Sequence, residues 1–339
     1  MTDIRLSLEE VHALTFDIFT GHGVSEAQAH ALADVVTAAE RDNCKSHGLF
    51  RVPGYMASVK SGKMNKTANP KVTELAPAVL QVDAADGFAP LALQVGREPL
   101  MERAREQGIA ALAILNSLHF QAVWYEVEAI ASEGLVALAC VTASSYVAPA
   151  GGIKPIYGTN PMAFGWPRSG RPPLVFDQAA SASARGEIML HQRDGHPIPE
   201  GWAIDVEGNP TTDPSAALAG AQLPFGGYKG AAIALMVELM AGAMIGDVFS
   251  FEVSERDNKD GGPMARGEVI IAIDPARCTS SGNREAQLAH GEALFERILS
   301  QEGTRLPSDR RYAARLETPS SGIVIPSSLH DTLLELRGG

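Results

Sequence analysis

The chain has 339 residues, 45% of them hydrophobic and 20% charged, an ordinary globular composition with enough length for two or three core-forming units. Its 28 Lys and Arg stand against 40 Asp and Glu, a formal net charge of −12. That balance excludes a general nucleic-acid or anionic-membrane binder, which needs clustered cations, so an anionic ligand must meet locally placed ones.

The start, MTDIRLSLEEV, lacks a charged-then-apolar leader, and no run of 18 apolar residues follows, so a soluble cytoplasmic protein is expected. Leu6 to Ala39 reads as two helices, the first capped by Ser7 and running to about Thr20, the second opening at Ser25 with Glu26 in its first turn. The helical pattern ends in RDNCKSHGLFRVPGY, where Ser46, His47 and Arg51 crowd into six residues. If helix continues through Arg51, imidazole and guanidinium share one face, and an anion can touch both.

KSGKMNKTANP then leads to alternating apolar residues from Val72, where the sheet begins. Pro90 to Gln107 has helical spacing, with Pro99 a kink or break. Ile109 to Leu115 is a buried strand emptying into a polar loop at Asn116, Ala122 to Glu133 a helix, and Leu135 to Thr142 another apolar strand, the order of an α/β layer. Past the Gly- and Pro-rich stretch Gly151 to Asp177, two short strands are expected at Glu187 to His191 and Trp202 to Ile204, separated by the turn RDGHP. Gly230 to Met244 reads as a buried helix, Glu268 to Ile273 as a strand, and Arg284 to Ser300 and Ser327 to Leu336 as helices. The cysteines, Cys44, Cys140 and Cys278, are odd in number and far apart, which supports free thiols and no cysteine metal site.

No G-x-G-x-x-G after a strand, Walker A pattern, H-E-x-x-H or G-x-S-x-G is present. His47 is the strongest acid/base candidate, because imidazole titrates near neutrality, with Ser46 and Arg51 supplying a hydroxyl and a fixed charge. A turn cap, a surface histidine and a solvated arginine would produce the same letters. His119 follows a buried strand, where α/β proteins place ligand contacts, and a half-buried turn histidine is the alternative. PAGGIKPIYGTNP offers backbone amides beside Thr159 and Asn160. FDQAASASARGE puts Asp177 at a strand end before small residues that admit a flat ring, and FGGYKGAA opens a helix with a glycine-flanked lysine suited to a pyrophosphate. RLPSDRR gathers three arginines, fit for a phosphate such as an adenosine 2′-phosphate or for a surface ion-pair patch.

Together these segments resemble the malate/L-lactate dehydrogenase-like family of NAD(P)H oxidoreductases: S-H-G-x-x-R of Ser46 to Arg51, H-F of His119 and Phe120, G-T-N-P of Gly158 to Pro161, and G-G-x-K-G of Gly226 to Gly230. Within it the chain is most similar to the Δ1-piperideine-2-carboxylate/Δ1-pyrroline-2-carboxylate reductases, over almost its full length. The resemblance implies a non-Rossmann α/β fold with a mixed, mainly antiparallel sheet and a homodimer. The expected organisation is a helical N-terminal unit over 1–70 carrying the proton-donor motif, an α/β cofactor- and substrate-binding region over 71–300, and a C-terminal segment over 301–339 with an Arg-rich cofactor loop. NADPH is the implied reductant, with NADH as the alternative.

It also implies roles: Ser46, His47 and Glu187 as a proton relay, Arg51, His119 and Thr159 at the substrate, and Asp177, Gln178, Ala179, Tyr228, Lys229, Arg305, Arg310 and Arg311 at the cofactor. Related reductases carry Asp where this chain has Glu187, and often His where it has Tyr228. The expected activity is reduction of cyclic 2-imino acids to pipecolate or proline. Its rivals are a 2-hydroxy-acid dehydrogenase of malate, lactate or ureidoglycolate type, with His119 or His47 as base, and a catalytically silent carboxylate- or nucleotide-binding protein.

Overall fold

The structure, a computed structural model, describes residues 3–338. Strand β1 (Asp3–Leu6) leads to helices α1 (Leu8–Gly21) and α2 (Glu26–Arg41). Ser7 Oγ accepts from Glu10 N at 3.1 Å while the Glu10 carboxylate accepts from Ser7 N at 2.7 Å, a reciprocal cap that fixes the start of α1 where the sequence places it. Beyond α2, the chain does not continue as one helix through Arg51. Two 3-10 turns, Lys45–His47 and Leu49–Arg51, are separated by Gly48, and α3 (Val52–Lys60) follows.

Next come β2 (Lys71–Ala76), β3 (Val79–Asp83), α4 (Ala89–Gln107), β4 (Ile109–Leu118), α5 (Trp124–Ser132), β5 (Val136–Val141), β6 (Met162–Trp166) and β7 (Leu174–Gln178). Pro99 does not end α4, because the helix is held along its length against β3 and β4. At Gly96 it lies so close that a Cβ would meet Leu112 at 2.6 Å, and packing overrides the local preference.

The remaining elements are α6 (Arg185–Asp194), β8 (Ala203–Ile204), β9 (Pro210–Thr211), α7 (Pro214–Ala219), β10 (Ala221–Gln222), α8 (Tyr228–Ala241), α9 (Ser250–Arg256), β11 (Ala265–Ile273), α10 (Arg284–Leu299), α11 (Asp309–Ser321), β12 (Ile323–Pro326) and α12 (Ser327–Gly338). The strand expected over Glu187 to His191 is instead part of α6. Gly195, which reads as a turn glycine in RDGHP, is the left-handed cap that ends this helix, at φ 70°. The α8 helix is not buried throughout: Leu235 and Leu239 are exposed.

Seven strands form one sheet in the order β2-β3-β4-β11-β5-β6-β7. Only β3 and β4 pair in parallel, so the sheet is mixed and mainly antiparallel. Both β4 and β5 pair with β11, which runs between them and carries a register irregularity between Arg266 and Glu268. One face packs on α4 and α5 through Leu112, Ile114, Val127 and Ile270, and the other receives Val237 and Ala241 of α8. A separate core unites both chain ends: Val11, Ile18, Phe19 and Tyr55 pack with Ile323, Ile325 and Leu333, and β1 pairs with β12. The helices that carry Ser46 to Arg51 are thereby fixed beside the ends of β4 and β7. The buried carboxylate of Asp42 and that of Glu128 both receive Arg315 of α11, which ties the end of α2 to α5 and α11.

Candidate active site

Gly48 sits between the two 3-10 turns because a side chain there would overlap the Glu40 carboxylate. Glu40 Oε1 accepts from Leu49 N at 2.8 Å, so a buried acid of α2 holds the loop from behind. Burial pushes the Glu40 carboxyl up, against the opposing hydrogen bond from Leu49.

On the other side of the loop, Ser46 Oγ and His47 Nδ1 are 3.0 Å apart. Arg51 Nε donates to Ser46 O at 2.7 Å, and its guanidinium lies 4.9 Å from the Phe120 ring centroid and 5.6 Å from that of Phe50. Thus Arg51 returns to Ser46 across the break, without the continuous helix that the spacing suggested. The stacked fork is rigid, and among the described residues it has no carboxylate partner. Burial lowers the His47 pKa to about 3, with the charge of Arg51 and then His119 acting in the same direction, so the ring is neutral at neutral pH.

These three side chains line a cavity of about 680 Å³ with His119, Thr159, Asp177, Gln178 and Ala179. Thr159 is set by its neighbour: Asn160, buried and at φ 42°, donates Nδ2–H to Ala234 O at 3.0 Å and to Glu238 Oε1 at 2.7 Å. Thr159 O in turn accepts from Ala180 N at 2.7 Å, tying this loop to the end of β7. Asp177 is open to the cavity interior and otherwise surrounded by protein, so its carboxyl is pushed up by desolvation. Its Oδ2 accepts from Trp124 N, 3.4 Å away, at the start of α5.

Two further cations line this cavity. Arg266 is 5% exposed, its Nε and Nη1 donate to the carbonyls of Met264 and Thr142, and burial lowers its pKa to about 10. The guanidinium of Arg185 lies 3.8 Å from the Tyr146 centroid and donates to Leu218 O at 3.1 Å. Neither has an ion-pair partner among the described residues. Arg266 gave no sequence signal, since it lies in a strand remote from every motif.

A second cavity, about 630 Å³, shares Asp177 and is lined by Cys44, Trp124, Arg305, Arg310 and Arg311. Arg311 is already engaged, with Glu128 at 3.1 Å and the Trp124 ring at 4.0 Å, whereas Arg305 and Arg310 have no ion-pair partner among the described residues. Cys44 stays a thiol, its pKa raised to about 11 by burial.

Three of the expected residues are not gathered here. Glu187 points out of α6 between buried Gly186 and Ile188, and its carboxylate is 4.0 Å from His191 Nε2, outside the residues that line the cavity. Ser46 and His47 thus line the cavity and Glu187 does not. Tyr228, 72% exposed, and Lys229 line neither cavity.

A cavity lined by Arg51 and a neutral His47 thus shares Asp177 with a second cavity lined by three arginines. Residues 6–334 match the malate/L-lactate dehydrogenase family, and the chain belongs to it. It is 51% identical to a Δ1-pyrroline-2-carboxylate/Δ1-piperideine-2-carboxylate reductase of Pseudomonas aeruginosa, over 98% of this chain and 99% of that protein. It is 44% identical to an NADP-dependent (2R)-3-sulfolactate dehydrogenase of Chromohalobacter salexigens, over 97% and 96% of the two chains. Among solved structures, Δ1-piperideine-2-carboxylate reductase of Pseudomonas syringae superposes with a TM-score of 0.91 at 41% identity, covering 98% of this chain and 99% of that one. Family membership implies a nicotinamide cofactor, and the joined cavities with their unpaired arginines fit one.

Proposed function

We propose that this protein reduces cyclic 2-imino acids, Δ1-piperideine-2-carboxylate to L-pipecolate and Δ1-pyrroline-2-carboxylate to L-proline, with NADPH as reductant. The observation that carries this reading is the half-buried Arg51 fork, set against Phe120 and without a carboxylate partner among the described residues, in the same cavity as a neutral His47. Arg51, with Thr159 beside it, holds the substrate carboxylate and turns C2 toward Asp177, Gln178 and Ala179, which hold the nicotinamide end of the cofactor. NADPH held there would supply the hydride that reduces C2. His47, oriented by Ser46, holds or supplies the proton at the ring nitrogen. Burial is the main reason that His47 is uncharged, and a carboxylate on Arg51 offsets the second one, the Arg51 charge, so that contribution of the substrate acts to raise the proton affinity of the ring. Arg305 and Arg310 hold the adenosine-side phosphates, the feature that favours NADPH over NADH.

A 2-hydroxy-acid dehydrogenase is the second reading. Arg185 and Arg266 favour it, since surplus cations suit a substrate with a second anionic group. NADPH oxidation with Δ1-piperideine-2-carboxylate, compared with pyruvate and oxaloacetate, separates the two: the cyclic imine is turned over fastest, and preference for a 2-oxo acid overturns the first reading.

We also propose a homodimer in which a second copy covers α8. The segment Tyr228–Ile245 has a mean hydropathy of 1.4, yet only 33% of it is buried. Its exposed Tyr228, Leu235 and Leu239 continue into Met244 and Phe251. A surface of this kind is typical of an interface. Sedimentation at the mass of two chains, reduced to one by Leu239→Glu, is the expected result. A wild-type protein that sediments as one chain removes the proposal.

A further inference from the structure

Behind His119, on the side away from the cavity, two carboxylic acids are buried where the reaction outlined above does not use them. Glu126 is in the first turn of α5 and Glu268 in the middle of β11, next to the register irregularity, and Glu268 has no exposed surface. One oxygen of each carboxyl group and a ring nitrogen of His119 all lie within 4.8 Å of one another. His119 Nε2 is 3.3 Å from Glu126 Oε1 and 3.7 Å from Glu268 Oε2. Gln121 Nε2 also donates to Glu126 Oε1. Glu126 Oε2 and both oxygens of Glu268 find no donor among the described residues.

Two ionised carboxylates this close in a dry site repel each other and lose their hydration, a cost that one shared proton relieves. The proton also supplies the missing donor. We propose that Glu126 and Glu268 hold one proton between them and act as positioning residues that lock His119 as its Nε2–H tautomer, leaving Nδ1 to accept a hydrogen bond from a ligand N–H in the cavity.

The direction of the titration agrees. Burial, reinforced by the neighbouring Glu126 charge, pushes the Glu268 carboxyl well above the usual range. Cys140 of β5, Asp177 of β7 and Tyr55 of α3 also interact with this pair. With the shared proton on Glu268, Glu126 Oε1 is left to accept from both His119 and Gln121. His119 must then carry its proton on Nε2, because a bare ring nitrogen facing a carboxylate would repel it. His119 Nδ1 makes no hydrogen bond to the described residues, and the ring is a cavity wall. The ligand N–H is that of a nicotinamide carboxamide, the cofactor that family membership implies, since the function proposed above gives the substrate's ring nitrogen to His47.

The test is ¹⁵N NMR of the histidine-labelled full chain, with the His119 signals assigned by their loss in His119→Asn. Wild type should show a pyrrole-like Nε2 and a pyridine-like Nδ1. Glu268→Gln, whose amide donates to Glu126 as the protonated acid does, should keep that pattern and activity close to wild type. Glu126→Gln should lose the fixed tautomer and lower kcat/KM about ten-fold or more, since a wrongly oriented imidazole tautomer is costly in catalysis. The loss should appear in KM for NADPH. A pyridine-like Nε2 in wild type, an unchanged tautomer in Glu126→Gln, or one equivalent of divalent metal in the purified protein overturns the proposal. The tautomer measurement needs no substrate, so it stands or falls separately from the proposed activity.

Discussion

Arg51→Ala is expected to lower kcat/KM for the cyclic imino acid by about a hundred-fold or more, since loss of one partner from a desolvated charge pair costs roughly 2–5 kcal/mol. Most of that loss should appear as a higher KM, with a further drop in kcat because C2 is no longer aimed at the hydride. Arg51→Lys should recover little. It keeps the charge but loses the planar stack on Phe120 and the Nε contact to Ser46 O, at 4.9 Å and 2.7 Å respectively, that fix the fork. Thermal melting of each variant separates a lost contact from a loosened loop. Steady-state constants unchanged in Arg51→Ala would remove the carboxylate assignment.

His47→Asn should reduce kcat by roughly 10²–10⁴, the range for a positioned acid–base group, while binding of pyrrole-2-carboxylate, a planar mimic of the substrate, stays close to wild type. The pH dependence carries the sign. With its pKa held near 3, His47 of the free enzyme stays neutral as the solution is acidified through pH 6.5, and protonates only well below it. The free enzyme's kcat/KM therefore has no acid limb from His47 in the neutral range. In the complex, with Arg51 neutralised, the His47 pKa rises, and the pH profile of kcat changes in His47→Asn. Profiles of kcat that coincide in wild type and His47→Asn assign the proton to another source.

Much of the fold was legible because it is written locally. The Ser7–Glu10 reciprocal cap, the apolar runs of β4 and β5 and the helical spacing of α10 each depend on residues close in sequence. Legibility failed where tertiary contacts decide. Pro99 is carried inside a helix by its packing on the sheet, and the apolar side of α8 is left exposed, which periodicity cannot distinguish from a core helix. The α11 helix also escaped notice, since Arg311 is its one buried residue among the described ones and its anchors are ion pairs to Asp42 and Glu128.

The site divides in the same way. Ser46, His47 and Arg51 are neighbours in sequence and remain neighbours in space. Arg185 and Arg266 come from α6 and β11, and only the folded chain brings them to one cavity. Glu187 was placed in the relay by resemblance, yet the turn of α6 directs it outward. Likewise, Glu126 and Glu268 fall in an expected helix and an expected strand with no motif around them, and their burial against His119 is visible only in three dimensions.

The measurement that bears most directly on the central claim is steady-state NADPH oxidation by one preparation of the enzyme, with Δ1-piperideine-2-carboxylate, pyruvate and oxaloacetate as substrates. A pocket that fixes a cyclic carboxylate on Arg51 with His47 at the ring nitrogen predicts kcat/KM for the imine about a hundred-fold or more above either 2-oxo acid, because a site built to hydrogen-bond one group rejects analogues lacking it. Equal values, or a higher value for pyruvate or oxaloacetate, would contradict it.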